Sequence, residues 1–312
     1  MSLRPPLRLN WVARRPHILF ESMACSSGGL KVKQLSPQQR ELVSSLAKRL
    51  GAITGIKAVV LGGSHARGRA QPGSDIDLYR SEPFFVYYPL VLPHDPWIEP
   101  PGYQRGSGPE NEERQRKFAA MVAYVDKMVG RVNDQLNRLG LSEKTMVIFT
   151  GDNGTNRELI SNLKGQVVRG DKGHPTDAGT HVPLVIKWKG VIPAGTTSDD
   201  LIDFTDFLPT LSAITNAMLP SGVVIDGKSF APRLRGQKGS PREWVFCHYD
   251  PKWADFKFSR HAQDKRYKLY HDGSFFDYRH DPLEKSLIAK RSITSEQLKA
   301  RDKLQHVLDS LK

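Results

Sequence analysis

The chain has 312 residues and a formal charge of +13, with 46 Lys and Arg against 33 Asp and Glu. That surplus favours anionic partners such as sulfated sugars, nucleotides or nucleic acid. The basic residues are scattered, however, with no RNA- or DNA-binding motif around them, and no apolar run approaches the roughly 18–20 residues of a membrane helix. The two cysteines, Cys25 and Cys247, rule out a disulfide framework or a zinc pattern.

Residues 1–30 set Arg4, Arg8, Arg14 and Arg15 among Pro5, Pro6 and Pro16. The apolar stretch His17–Phe20 is too short for a signal-peptide core, so a disordered basic arm is expected. With no export signal or membrane span legible, the compartment stays open, with a cytoplasmic chain as the default. Leu35 to Leu50 predicts a helix. Ser36 is its N-cap, Pro37 its first residue, and Leu42, Val43, Leu46 and Leu50 its apolar face. Ile56–Leu61 and Asp75–Tyr79 predict strands.

From Pro83 the pattern changes. Phe84–Leu92 predicts an apolar strand, and Pro93 to Gly108 a loop rich in proline and glycine. Asn111 to Leu139 predicts a long helix, because Phe118, Met121, Val122, Val125, Met128, Val129, Val132 and Leu136 recur at steps of three and four. Thr145–Thr150 and Val182–Trp188 predict strands, and Asp203–Ala217 a helix. This alternation implies an α/β fold with a mostly parallel sheet flanked by helices. After Gly236 the elements shorten. Trp244–Tyr249 and Tyr267–His271 predict a small antiparallel sheet, and Ser295–Leu311 a closing helix capped by Ser295.

Two constellations carry chemistry. The first is Leu61-Gly62-Gly63-Ser64, followed after ten residues by Asp75-Ile76-Asp77. Gly63 lets the backbone approach a phosphate, and Ser64 can donate to one of its oxygens. Asp75 and Asp77 alternate on a strand, so both carboxylates share a face suited to magnesium. This Gly-Ser…Asp-x-Asp pattern resembles the nucleotidyltransferase superfamily, especially small bacterial members related to aminoglycoside nucleotidyltransferases. The resemblance implies a nucleotide partner. It covers only about Lys31 to Arg80 and lacks the family's third carboxylate.

The second begins at Pro83 and has four landmarks. They are Phe84-Phe85-Val86 with Pro93-His94-Asp95-Pro96; Phe149-Thr150-Gly151-Asp152-Asn153-Gly154; Gly170-Asp171-Lys172-Gly173 with Asp177-Ala178-Gly179-Thr180-His181; and Tyr267-Lys268-Leu269-Tyr270 with Phe276-Asp277 and Asp281-Pro282. Together they resemble the second half of a sulfatase, of the alkaline-phosphatase-like superfamily. The resemblance implies that His94 and Lys172 bind the sulfate, and that Asp152 and Asn153 are ligands of a divalent cation, usually calcium. It implies a sulfate ester of a sugar or an aryl group as substrate. Asp177, Ala178 and His181 depart from the commonest family form, Glu-Gly-Gly-x-Arg. The fourth landmark is expected to be structural.

Sulfatases convert the Cys of a Cys-x-Pro-Ser-Arg motif into their formylglycine nucleophile. Cys25 precedes Ser26-Ser27-Gly28 and Cys247 lies near the C-terminus, so neither fits. Asp75 and Asp77 are poor substitutes for the family's metal aspartates, which are adjacent. The expected organisation is a basic arm (1–30), a nucleotidyltransferase-like α/β fragment (31–82), the second half of a sulfatase catalytic domain (83–235) and a sulfatase C-terminal antiparallel subdomain (236–312). The expected function is that of a sulfatase-like protein, a sulfuric ester hydrolase by kinship, with little or no activity. The alternatives are a nucleotidyltransferase and a non-enzymatic fusion product with exposed strand edges at Phe84–Leu92.

Overall fold

The computed structural model describes residues 59–61, 84–163, 165–252 and 256–311. The expected arm, the Leu35–Leu50 helix, the Asp75–Tyr79 strand and the sites at Gly63, Ser64, Asp75 and Asp77 lie outside the described residues. The chain divides into two compact units, Met1–Val91 with Thr215–Val223, and Leu92–Ile214 with Val224–Lys312.

In the first unit, β1 (Val59–Leu61) pairs in parallel with β2 (Phe85–Tyr87), Val60 opposite Val86. The strand expected over Phe84–Leu92 is therefore only three residues long. Pro89 has no N–H to give a ladder, and Pro93 follows it, so pairing ends at Tyr87.

The second unit opens with a loop containing cis bonds before Pro93 and Pro96. Then comes α1 (Glu110–Arg138), within one residue of the predicted bounds. Pro109 precedes its first turn, and Glu110, Glu112 and Glu113 lie at the positive end of the helix dipole. Its C-terminus is a Schellman turn. The Leu141 N–H donates to the Leu136 carbonyl at 2.8 Å and that of Gly140 to Asn137 at 3.0 Å, with Gly140 at φ +67°. Met121, Val125 and Leu136 form the buried stripe. Val122 was predicted on that stripe but is exposed, at the edge of the helix face. Near the start of the helix, Glu113 is buried. Tyr103 donates to it at 2.8 Å and Arg116 at 2.9 Å, tying the preceding loop to the helix. Burial alone would raise the Glu113 carboxyl, but these donors and Arg105 hold it below the ordinary carboxylate value.

The strand β3 (Val147–Thr150) pairs with β6 (Leu184–Lys187), and β4 (Ile160–Leu163) with β5 (Gln166–Arg169), both antiparallel. This corrects the mostly parallel sheet expected between 83 and 235: among the described residues only β1 and β2 run parallel. Parallel neighbours need a crossover, usually a full helix. Between β3 and β6 lie only the β4–β5 hairpin and the four-residue helix α2 (Asp177–Thr180), so the chain turns back on itself. The helix expected over Asp203–Ala217 starts as a 3-10 turn, Phe204–Asp206, and continues as α3 (Phe207–Thr215). Asp206 is buried there and paired with buried Arg242, whose Nε donates to Asp206 Oδ2 at 2.8 Å. A short α4 (Ala231–Leu234) follows.

The C-terminal sheet has the order β10-β9-β8-β7, all antiparallel. Its strands are β7 (Val245–Tyr249), β8 (Ser259–Gln263), β9 (Tyr267–Tyr270) and β10 (Phe275–Asp277). One face packs on α5 (Ser295–Ser310), burying Ala262, Tyr267, Leu269, Phe275, Leu304, Val307 and Leu308. Full burial of each large side chain contributes roughly 1.5–3 kcal/mol. Thr294, not Ser295, is the N-cap. Its hydroxyl accepts from the Gln297 N–H, and the Gln297 side chain accepts from the Thr294 N–H. The reciprocal bond requires Gln at the third helical position, which fixes Thr294 as the cap. On the opposite face, Cys247, His261 and Tyr270 stand directly opposite one another across β7, β8 and β9.

Candidate functional site

The second unit brings two of the predicted motifs together through their backbones. At the end of β3 the chain turns through Gly151-Asp152-Asn153-Gly154, leaving Asp152 exposed and Asn153 half-buried. The Gly154 N–H donates to the Gly179 carbonyl at 2.9 Å, and the Lys172 N–H donates to the Thr155 carbonyl at 2.9 Å. A Cβ on Gly154 would collide with the Ala178 carbonyl, and one on Gly179 with those of His174 and Asp171. Two glycines therefore allow the Asp152 loop and the Lys172 loop to touch main chain to main chain.

Side chains hold the second loop in shape. Asp171 forms an ion pair with Arg157 Nε at 2.9 Å and accepts from Thr176 Oγ1 at 2.6 Å. Asp177 Oδ2 lies 3.3 Å from His181 Nδ1, one turn apart. The Asp177 hydrogen bond raises the His181 pKa, against the effect of burial. His181 stands where the family's commoner form has arginine, and Asp177 favours the cationic imidazole there.

His94 sits in the loop bracketed by the two cis prolines. It is exposed, and its Nδ1 contacts the Asp95 carbonyl at 2.5 Å and the Asp95 carboxylate at 3.5 Å. No described polar contact links it to the Asp152 or Lys172 loops. Among the described residues, no group of three or more His, Cys, Asp and Glu gathers to hold a metal. Asp152 and Asn153 provide at most three side-chain oxygens, and calcium takes six to eight. These described donors alone do not complete a divalent-cation site. Among the described residues, no helix is long and apolar enough to cross a membrane.

The sequence reading missed the polar contacts beneath this site. Lys268, in β9, is buried with Glu284, and its ammonium reaches the carbonyl of Pro175 in the Lys172 loop. A lysine between Tyr267 and Leu269 in a strand was a legible signal, because strand alternation sends it to the face opposite the core.

Comparison with known proteins places the chain beside sulfatases. A family model described as Sulfatase matches residues 73–217, and one described as N-sulphoglucosamine sulphohydrolase, C-terminal, matches residues 170–310. From residue 73 to residue 310 the chain is sulfatase-like. The first match starts ten residues before Pro83 and takes in Asp75 and Asp77. The chain is similar to human arylsulfatase A, at 34% identity over 56% of this chain and 33% of that protein. It is 30% identical to an uncharacterized sulfatase of Escherichia coli over 66% of this chain and 37% of that protein. The chain thus spans about a third of the length of these sulfatases. In fold it resembles a sulfatase from Pseudoalteromonas, with a TM-score of 0.56 and 23% identity over 74% of this chain and 49% of that one. It also resembles a structure titled as a complex with the substrate D-glucosamine-2-N,6-O-disulfate, with a TM-score of 0.54 and 24% identity over 64% of this chain and 41% of that one. These sulfatases share the alkaline-phosphatase-like α/β fold.

Proposed function

We propose that the sulfatase-like part binds the anionic group of a sulfate ester, and that this chain turns the ester over slowly or not at all. The contact between the Asp152 and Lys172 loops carries the reading. It fixes the backbone of half-buried Lys172 beside the loop that follows β3, so that its ammonium can meet an anion there. At about 4 Å and an effective dielectric near 20, such a pair gains roughly 4 kcal/mol before desolvation. In this reading His94 donates a hydrogen bond to the sulfate or a proton to the leaving oxygen. Sulfated sugars and aryl sulfates are the substrate classes by kinship.

No nucleophile of the family type accompanies these groups. Burial in β7 pushes the Cys247 thiol above its ordinary pKa, so it is protonated at neutral pH. Cys25 lies in a sequence without the family motif. Asp152 and Asn153 are the calcium ligands that kinship suggests, but the proposed binding rests on the protein's own charges.

The test measures stabilisation by inorganic sulfate and hydrolysis of a chromogenic aryl sulfate, for the full chain and for Lys172→Ala. The expected result is sulfate binding that Lys172→Ala weakens by at least about tenfold, roughly 1.4 kcal/mol, with negligible turnover in both. Equal sulfate binding by the two proteins refutes the role of Lys172. Rapid turnover refutes the inactive reading.

A second reading concerns the stretch before residue 80. β1 ends at Leu61, immediately before Gly62-Gly63-Ser64, as a strand leading into a phosphate-binding turn should. Magnesium-nucleotide binding lost on Asp75→Asn with Asp77→Asn would support it, and no binding would end it.

A further inference from the structure

Lys268 is the most deeply buried charge in the described chain, with its side chain 1% exposed and that of Glu284 6% exposed. Lysine is rarely buried to this degree unless fully paired. Here its Nζ donates to Glu284 Oε1 at 2.9 Å and to the Pro175 carbonyl, and it lies 5.2 Å from the centre of the Tyr270 ring. The Tyr270 hydroxyl occupies the other Glu284 oxygen. Glu284 itself is held at φ +53°, a backbone conformation that costs a non-glycine residue energy and persists only where its surroundings enforce it. The network is therefore closed and specific. It also points outward from the sheet, on the face opposite the α5 core.

What it grips is the Lys172 loop. Pro175 lies three residues after Lys172 and two before Asp177. The neighbouring His174 packs edge-on against Phe256 at 5.6 Å, and Tyr249 in β7 meets the same ring at 6.4 Å. Lys268 is too buried to touch a substrate, and Glu284 neutralises its charge. Any effect on an anion must pass through the loop.

We propose that Lys268, set by Glu284 and Tyr270, is a positioning residue. It clamps the Pro175 carbonyl and thereby fixes the Lys172 loop from the C-terminal sheet. Its relevance to sulfate rests on the role of Lys172 proposed above, whereas the clamp itself is a property of the unliganded chain. Losing the ammonium frees the Pro175 carbonyl and leaves Glu284 buried without its cation, while the α5 core on the other face stays packed.

The experiment uses the full chain and two variants, Lys268→Met and the shape-preserving Glu284→Gln. Hydrogen exchange is followed at the Lys172 and Gly154 amides, which bridge the two loops, and at the β7–β8 ladder amides as reference. The expected result is exchange at Lys172 and Gly154 faster by about tenfold or more, with the ladder little changed. Unchanged exchange at the two amides, or equal acceleration everywhere, overturns the proposal. If Lys268→Met does not fold, Glu284→Gln is judged by the same criterion. Inorganic sulfate affinity of the same samples is the second readout, with Lys172→Ala as the standard. If Lys172→Ala leaves sulfate affinity unchanged, the role of Lys172 fails while exchange still decides the clamp. If Lys172→Ala weakens binding but the clamp variants do not, the clamp is structural only and the positioning role fails.

Discussion

Gly154→Ala tests the contact on which the site depends. The new Cβ would lie 2.8 Å from Gly179 Cα and 2.9 Å from the Ala178 carbonyl carbon, with the carbonyl oxygen closer still. All three atoms are main chain, so no rotamer relieves the overlap. Restoring van der Waals distance means moving one loop by about 1 Å, which costs roughly 1–3 kcal/mol as overpacking. That movement also breaks the bond from the Gly154 N–H to the Gly179 carbonyl, at 2.9 Å in the native chain. Its loss adds about 0.5–1.5 kcal/mol. The sum, about 2–4 kcal/mol, lowers the Tm by roughly 4–16 °C for a unit of this size. Gly151→Ala, three residues earlier, is the control. Its Cβ would meet Val182 at an ordinary 3.5 Å and change stability by no more than about 0.5 kcal/mol. Thermal and urea denaturation of both variants check the difference. A Gly154→Ala protein as stable as Gly151→Ala would refute the close approach of the two loops.

Gly130 lies inside α1, and a Cβ added there would meet nothing within 4 Å, so Gly130→Ala should stabilise the chain by about 0.5–1 kcal/mol in urea denaturation. Arg242→Met strands the buried Asp206 carboxylate and should cost roughly 3–5 kcal/mol by the same measurement. Acid sensitivity should come from His261, which is buried on β8 with no described hydrogen-bond partner for Nδ1. Burial first, then Lys268, holds its folded pKa well below 6.5. The unfolded chain therefore binds the proton first, and stability present above 6.5 falls as pH drops below it. His181 acts in the opposite sense. Its pKa is raised by Asp177, so its contribution is present below 6.5 and lost as pH rises above it, and it is small because the His181 side chain is exposed. The Tm of His261→Asn should accordingly fall less than that of the parent between about pH 7 and about pH 5. Equal slopes would refute this account.

Local signals in the sequence determined much of this protein. The step of three and four from Phe118 to Leu136 gave α1 almost to its ends, because helix period and capping are set within a few residues. Asp152-Asn153 after an apolar strand, and Lys172 beside Asp171, marked the candidate site and its kinship. The tertiary structure decided everything that depends on partners distant in the chain. β3 and β6 paired antiparallel because no crossover helix separates them. The capping box of Thr294 with Gln297, by contrast, is local and was open to a sequence reading that placed the cap at Ser295. In sequence Lys268 is one polar residue in a structural strand, and its partner, the Pro175 carbonyl, lies 93 residues away. A motif names the groups available to an anion, but the distance between Gly154 and Gly179, which joins their loops, is fixed only when separate stretches of chain pack together.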